Sequence, residues 1–238
     1  VTDADAVLLA AIRADLAAAA DPVRAAGQQA YMKSAMPYYG VPMPKVRSIV
    51  RDHGNDRPFA TADAVTATVR ALWDPAAFRE ERYAAILLAD TRAARRLSSP
   101  AGLGLYRHLV VTGAWWDLVD PVAGQVGALL RTWPGEVEPV LRTWMLEPDL
   151  WLRRVAIIGQ LGAKEATDVA LLSDAILANT ADRDFFIRKA IGWALRDYAR
   201  TAPDWVSGFV AAHRDELSGL SVREATKHLK PEASPPAS

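Results

Sequence analysis

An all-α solenoid of about twelve helices is the fold this sequence predicts, and three observations predict it. The 238 residues are 51% apolar and 24% charged, a globular composition. Alanine and leucine dominate and β-branched runs are short, which favours helix. Helix start and stop signals recur roughly every 15 to 20 residues, and no period-2 alternation long enough for a strand stands out.

The elements follow in order. Thr2 with Asp3 caps a first helix running through Ala20. Asp21-Pro22 reads as N-cap and first residue of a second, because proline is pre-shaped for a first turn and has no N–H to leave unpaired. That helix ends near Met36-Pro37. Tyr38 to Pro44 is an irregular link, and Pro44 opens the next helix. Further starts fall at Thr61, Asp74-Pro75, Ser99-Pro100, Thr112, Pro134-Gly135, Asp149, Thr167-Asp168, Asp182 and Ala202-Pro203. The last is Ser221, with Glu224 completing a capping box. Such helices, joined by short links and taken in pairs, repeat at roughly 35–45 residues, the range of HEAT-like repeats. A compact bundle is the competing architecture, but every link is too short for a long crossover. We expect a single HEAT-like repeat domain over residues 1–230 and a frayed Pro/Ser/Ala-rich tail over 231–238.

Composition narrows the chemistry. There are no cysteines, which excludes disulfides, thiolate metal sites and cysteine nucleophiles. The histidines (His53, His108, His213, His228) include no i, i+4 pair, so no metal and no cofactor is expected. The first residues lack the basic start of a signal peptide, and no stretch approaches the ~20 apolar residues of a membrane span. We therefore expect a soluble, cytoplasmic protein. Net charge is zero, with 28 basic and 28 acidic residues. Bulk charge thus argues against nucleic acid, and the arrangement of charges must decide.

Two windows depart from plain repeat packing. In Ala114-Trp115-Trp116-Asp117-Leu118-Val119-Asp120-Pro121, helical spacing puts the Trp116 indole and the Asp120 carboxylate on one face. Equally, both tryptophans can be core and the aspartates solvated. In the second window, Ile187, Ile191, Ala194, Leu195 and Tyr198 make an apolar stripe. Phe185, Lys189, Trp193, Arg196 and Arg200 make another on a different face. Rings alternating with cations suit nucleic acid, since cations neutralise phosphate and rings meet a base or sugar. An ordinary solvated face reads the same way. Arg153 and Arg154 are a smaller element; adjacent helical residues point about 100° apart, so only one of them can face a shared groove.

Together these pieces resemble the AlkD family of alkylpurine DNA glycosylases. The matching segments are Tyr31-Met32-Lys33, Pro44-Lys45-Val46-Arg47, Leu72-Trp73-Asp74, Trp115-Trp116-Asp117 with Val119-Asp120, and Trp151-Leu152 with Arg154. Gln160-Leu161, Phe185-Phe186-Ile187, Ala190-Ile191-Gly192-Trp193, Leu195-Arg196, Arg223-Glu224-Ala225 and Lys227-His228 follow in order. The resemblance implies HEAT-like repeats wrapped as a C around double-stranded DNA, acting as a monomer. It implies hydrolysis of the N-glycosidic bond of cationic N3- and N7-alkylated purines in base excision repair, in a bacterial cytoplasm. By motif, Asp120 is the catalytic carboxylate, with Trp116 and Trp193 flanking the lesion nucleotide. Arg154 meets the backbone near it, Tyr31, Arg47, Phe185, Phe186 and Arg196 line the groove, and Arg153 and Lys189 add cations.

Four departures stand out. Gly113 and Gly162 replace lysines expected in the family, Arg153 replaces a neutral residue, and Pro121 follows Asp120 directly. The glycines either open the groove to bulky minor-groove N3-adenine adducts, as self-resistance to a DNA-alkylating natural product would need, or merely end helices. Pro121 should bend its helix at Asp117 and re-aim Asp120. The competing function is a non-catalytic HEAT-like module that binds DNA or a protein.

Overall fold

The computed structural model describes residues 4–55 and 57–229. Among them are fourteen α-helices and no strand, the content of a helical-repeat solenoid. The chain divides into two compact units between Gly113 and Ala114. The first holds α1 (Ala6–Ala18), α2 (Pro22–Met32), α3 (Met43–Gly54), α4 (Ala62–Trp73), α5 (Arg79–Ala89), α6 (Arg92–Arg95) and α7 (Leu103–Gly113). The second holds α8 (Trp116–Thr132), α9 (Pro134–Trp144), α10 (Leu150–Ile158), α11 (Val169–Leu177), α12 (Phe185–Tyr198), α13 (Pro203–Ala212) and α14 (Gly219–Ala225).

Local chemistry starts many of these helices where the sequence places them. Asp21, Thr61, Asp149 and Asp168 each accept a backbone N–H from the first turn of the helix they precede, and Pro22, Pro134 and Pro203 occupy first positions. Other expected starts are taken by tertiary partners. The Asp74 carboxylate goes to His108 Nε2 at 2.6 Å and Arg70, and α5 begins later, after Phe78. Thr112 accepts Trp73 Nε1 at 2.8 Å and stays inside α7; the next helix waits for Trp115. Asp184, not Asp182, caps α12, and Ser218, not Ser221, caps α14. Ser221 is buried and donates to the Arg188 carbonyl at 2.9 Å. The short α6, capped by Thr91, is an element the sequence reading lacks. Asp5 caps α1; the expected caps Thr2 and Asp3, like the tail 231–238, lie outside the described residues.

In the first unit α1 packs on α3, α4 and α5, and α3 and α4 on α5, around Leu8, Ile12, Leu16, Val46, Ile49, Leu72, Trp73 and Leu88. The irregular link after α2 is fixed by one side chain. Fully buried Glu80 accepts the backbone N–H groups of Tyr39 (2.9 Å), Gly40 (2.8 Å) and Val41 (3.0 Å). Gly40 sits at φ 88° against the Asp21 carbonyl, where any Cβ would collide.

The second unit repeats. α8, α10, α12 and α14 stack in succession, α9 packs beside α11, and each stacked helix also touches the helix that follows or precedes it. The stacked helices begin at Trp116, Leu150, Phe185 and Gly219, a period of roughly 35 residues at the short end of the helical-pair range. Leu118, Val119, Val122, Leu152, Val155, Ile187, Ile191 and Leu195 form the core between layers. Each such side chain contributes about 1.5–3 kcal/mol by burial. α8 continues unbroken through Pro121. The proline lacks the N–H that would reach the Asp117 carbonyl, yet the helix is not broken there.

Candidate functional site

The period of the second unit places equivalent residues in a row. Asp120, Arg154, Lys189 and Arg223 are each the fifth residue of a stacked helix. Aromatic residues mark the starts of three of these helices: Trp115 and Trp116 at α8, Trp151 at α10, Phe185 and Phe186 at α12.

Adjacent rungs bring Asp120 and Arg154 together. Arg154 donates from Nε to Asp120 Oδ1 at 2.7 Å and from Nη2 to Oδ2 at 2.8 Å, a two-point fork. Its Nη1 donates to the Phe186 carbonyl at 2.6 Å, so the guanidinium joins three successive helices. The Arg154 side chain is 4% exposed and Asp120 17%. A carboxylate has about four lone-pair sites; the fork takes two, and the side chain keeps some exposed surface. Trp116, one turn before Asp120, is half-buried.

The rings pack rather than line an open surface. Phe186 lies 5.3 Å from Trp115 edge-on and 5.1 Å from Trp151, and the two indoles are 6.1 Å apart. Such ring pairs are worth about 0.5–1.5 kcal/mol beyond burial. Trp115 Nε1 is buried in this cluster without a hydrogen-bond partner. Phe185, edge-on to Phe186 at 5.5 Å, remains 53% exposed.

Four of the cations expected to meet DNA, Arg153, Arg154, Lys189 and Arg196, have acidic partners. Arg153 donates to Asp182 at 2.8 Å and to the Glu147 and Pro148 carbonyls. Burial opposes it, but the Asp184 amide and Arg153 hold the Asp182 carboxyl below its usual range. Lys189 Nζ donates to Glu224 Oε1 at 2.6 Å, and Arg196 pairs with Glu224 Oε2. The Lys189 hydrogen bond, with the charges of Arg196 and Lys227, holds Glu224 below the usual carboxylate range. Trp193 is half-buried on the same helix, four residues after Lys189 and three before Arg196. Arg200 is exposed.

Two expectations change on this geometry. Arg154 does not face solvent as a phosphate contact; its donors are committed to Asp120 and α12. Gly162 sits at φ 76° with open space around its missing Cβ and donates its N–H to Asp197 at 2.6 Å. That backbone conformation accounts for the glycine without a lesion-size role. Tyr31, 77% exposed on α2, and Arg47, exposed on α3, belong to the first unit. Sequence reasoning missed Asp182 and Glu224 as partners. The period was the available signal, because it puts the link that leads into α12 beside Arg153 of α10, and α14 beside the cations of α12. Among the described residues no cluster of His and acidic side chains could hold a metal ion, and no helix is long and apolar enough to cross a membrane.

Stacked α-helices that hold a paired carboxylate among tryptophans and cations define a helical-repeat protein with a polar site on one layer. The chain belongs to the DNA alkylation repair enzyme family, which matches residues 12–229. It is also similar to the solved structure of a predicted DNA alkylation repair enzyme from Enterococcus faecalis. That similarity covers 90% of this chain and 98% of the other at 31% identity, with a TM-score of 0.79. No curated protein matches the chain. Membership places the protein in DNA alkylation repair.

Proposed function

We propose that the chain is a DNA glycosylase that hydrolyses the N-glycosidic bond of cationic N3- and N7-alkylated purines in duplex DNA, acting as a monomer. The observation that carries the reading is Asp120: a carboxylate one turn from Trp116, held at both oxygens by Arg154 yet still open to the outside.

An alkylated purine is already positively charged, so it leaves without a general acid. As the bond lengthens, the sugar becomes oxocarbenium-like, and a fixed anion stabilises that charge without reorganising. Arg154 fixes the anion. The free lone pairs of Asp120 orient the attacking water or accept its proton. Indole faces at Trp116 and Trp193 attract a cationic sugar and base more than neutral ones. Tyr31, Arg47 and Phe185 supply contacts to the duplex, and Lys189 and Arg196 neutralise phosphate. A lesion that carries its own driving charge needs no enclosing pocket, so the reading includes bulky minor-groove N3-adenine adducts and a role in self-resistance to an alkylating natural product.

The test is incubation with duplex DNA containing 7-methylguanine, followed by assay for abasic sites. Release is expected from cationic lesions, including a bulky N3-adenine adduct, and not from uracil or 1,N6-ethenoadenine. Efficient uracil release would contradict a mechanism that draws on a pre-charged leaving group. Duplex binding without release of any cationic base would favour the non-catalytic binding module. The pairing of both Asp120 oxygens with Arg154, which gives the carboxylate a structural role, is what speaks for that second reading.

A further inference from the structure

Glu224 is the residue that neither the proposed chemistry nor helix capping uses. Its carboxylate receives Lys189 on one oxygen and Arg196 on the other, and these cations stand on either side of Trp193 along α12. Lys227 adds a third positive charge nearby. One anion therefore lies among three cations, leaving a local surplus of positive charge. Glu224 itself is 16% exposed and Lys189 38%.

Glu224 is held close to α12 at its Cβ, whereas the cations reach it from further out. α14 approaches α12 so closely at Gly192 that an added Cβ would stand 2.5 Å from Glu224 Cβ and 2.8 Å from the Ser221 carbonyl. Ser221 then ties the two helices through its bond to the Arg188 carbonyl. The backbone and Cβ of Glu224 are thus fixed by the close approach of the two helices, while Lys189 and Arg196 reach its carboxylate at the ends of longer, flexible stems.

From this arrangement we propose that Glu224 occupies a phosphodiester seat formed by Lys189 and Arg196, as an internal anion that duplex DNA must displace. The inference rests on the proposed DNA-directed function and adds a specificity-determining residue to it. A phosphate that draws the two cations away leaves Glu224 partly uncompensated, and that cost falls on every duplex, damaged or not. Weak non-specific binding follows, since a repulsive element discriminates as well as an attractive one. It also gives a purpose to zero net charge in a protein of this family: cations are present but guarded.

The test measures binding of undamaged duplex to the full chain across salt concentrations for wild type, Glu224→Gln, Lys189→Gln/Arg196→Gln and the triple variant. Glu224→Gln is expected to bind more tightly and to steepen the log–log salt slope by about one unit. Its advantage over wild type then grows about tenfold for each tenfold dilution of salt. In the double-variant background the same substitution should change nothing. Unchanged or weaker binding by folded Glu224→Gln overturns the proposal. So does a gain that persists without Lys189 and Arg196, which would be general repulsion. If Glu224→Gln does not fold, Glu224→Asp serves: its shorter arm cannot bridge both cations, and binding equal to wild type overturns the seat. Base release from 7-methylguanine duplex, measured in parallel, separates the two readings. Release by wild type with no gain in Glu224→Gln sinks the seat alone. The expected gain with no release sinks the glycosylase reading alone.

Discussion

Glu80 in the first unit and Asp120 in the second are both sheltered carboxylates, and they are satisfied in opposite ways. Glu80 has no exposed surface and takes three backbone N–H groups from one irregular link. Asp120 takes no backbone group in the contacts described; its partner is a side chain from the next rung, and part of it is open. Backbone amides cannot leave without unfolding the link, so Glu80 is spent on structure. A carboxylate held by one guanidinium keeps free lone pairs and an approach path, which is what chemistry at a sugar requires.

Breaking that contrast should produce effects of graded size. The largest is expected for Asp120→Asn, which removes charge and little volume. Single-turnover release of 7-methylguanine should fall about 10²–10³-fold, the scale of losing one preorganised charge, and the melting temperature should drop by a few degrees because the buried Arg154 guanidinium loses its anion. Wild-type rates would remove Asp120 from the mechanism.

Glu80→Ala should do the reverse. Three buried N–H groups lose their acceptor, at about 3 kcal/mol or more in all, and thermal melting should drop by roughly 10 °C. Base release well below that temperature should survive; a folded variant that is inactive would give Glu80 a functional role.

Arg154→Ala sharpens the comparison from the partner's side. Removing a buried guanidinium beside a partly open carboxylate should destabilise by about 1–3 kcal/mol, discounted for the exposure of Asp120. Base release should fall, but the salt slope of duplex binding should stay. A slope flattened by about one unit would put Arg154 on phosphate after all.

A smaller effect concerns pH. Glu224 is held below its ordinary range in the folded chain, first by the Lys189 hydrogen bond. Its stabilisation is therefore present above the unfolded value and lost as pH falls through the folded one. Glu224→Gln should flatten the decline of melting temperature on acidification; an unchanged acid limb would show that the pairs contribute nothing. The smallest effect on stability belongs to Phe185→Ala, within about 0.5 kcal/mol for an exposed ring. Duplex affinity should nonetheless weaken, and unchanged affinity would leave that ring an ordinary surface residue.

Much of the fold was legible because it is written locally. Asp21, Thr61, Asp149 and Asp168 cap the helices they precede through bonds spanning two or three residues, and nothing distant competes for them. Asp74, Thr112, Asp182 and Ser221 carry the same signal and fail as starts. Each has a partner remote in sequence: His108, Trp73, Arg153 and the Arg188 carbonyl. The candidate site was legible as residue types, with Asp120, Trp116, Trp193 and the cations of α12 all named by motif and spacing. Their states were not. Arg154 was read as a contact to the DNA backbone and is buried against Asp120 and the Phe186 carbonyl, and Phe186 was read as groove lining and packs between two indoles.

By itself the sequence determined that this protein is helical, where most helices begin, which faces are apolar and which polar residues stand out from packing. Those are matters of a turn or two, decided by capping, proline geometry and 3.6-residue periodicity. Only the tertiary structure decided which charge meets which. Asp120 and Arg154 are neighbours because α8 and α10 stack in register, and Glu224 reaches Lys189 and Arg196 because Gly192 lets α14 touch α12. Register between helices is set by backbone approach and core shape summed over a whole interface, so no single window of sequence contains it.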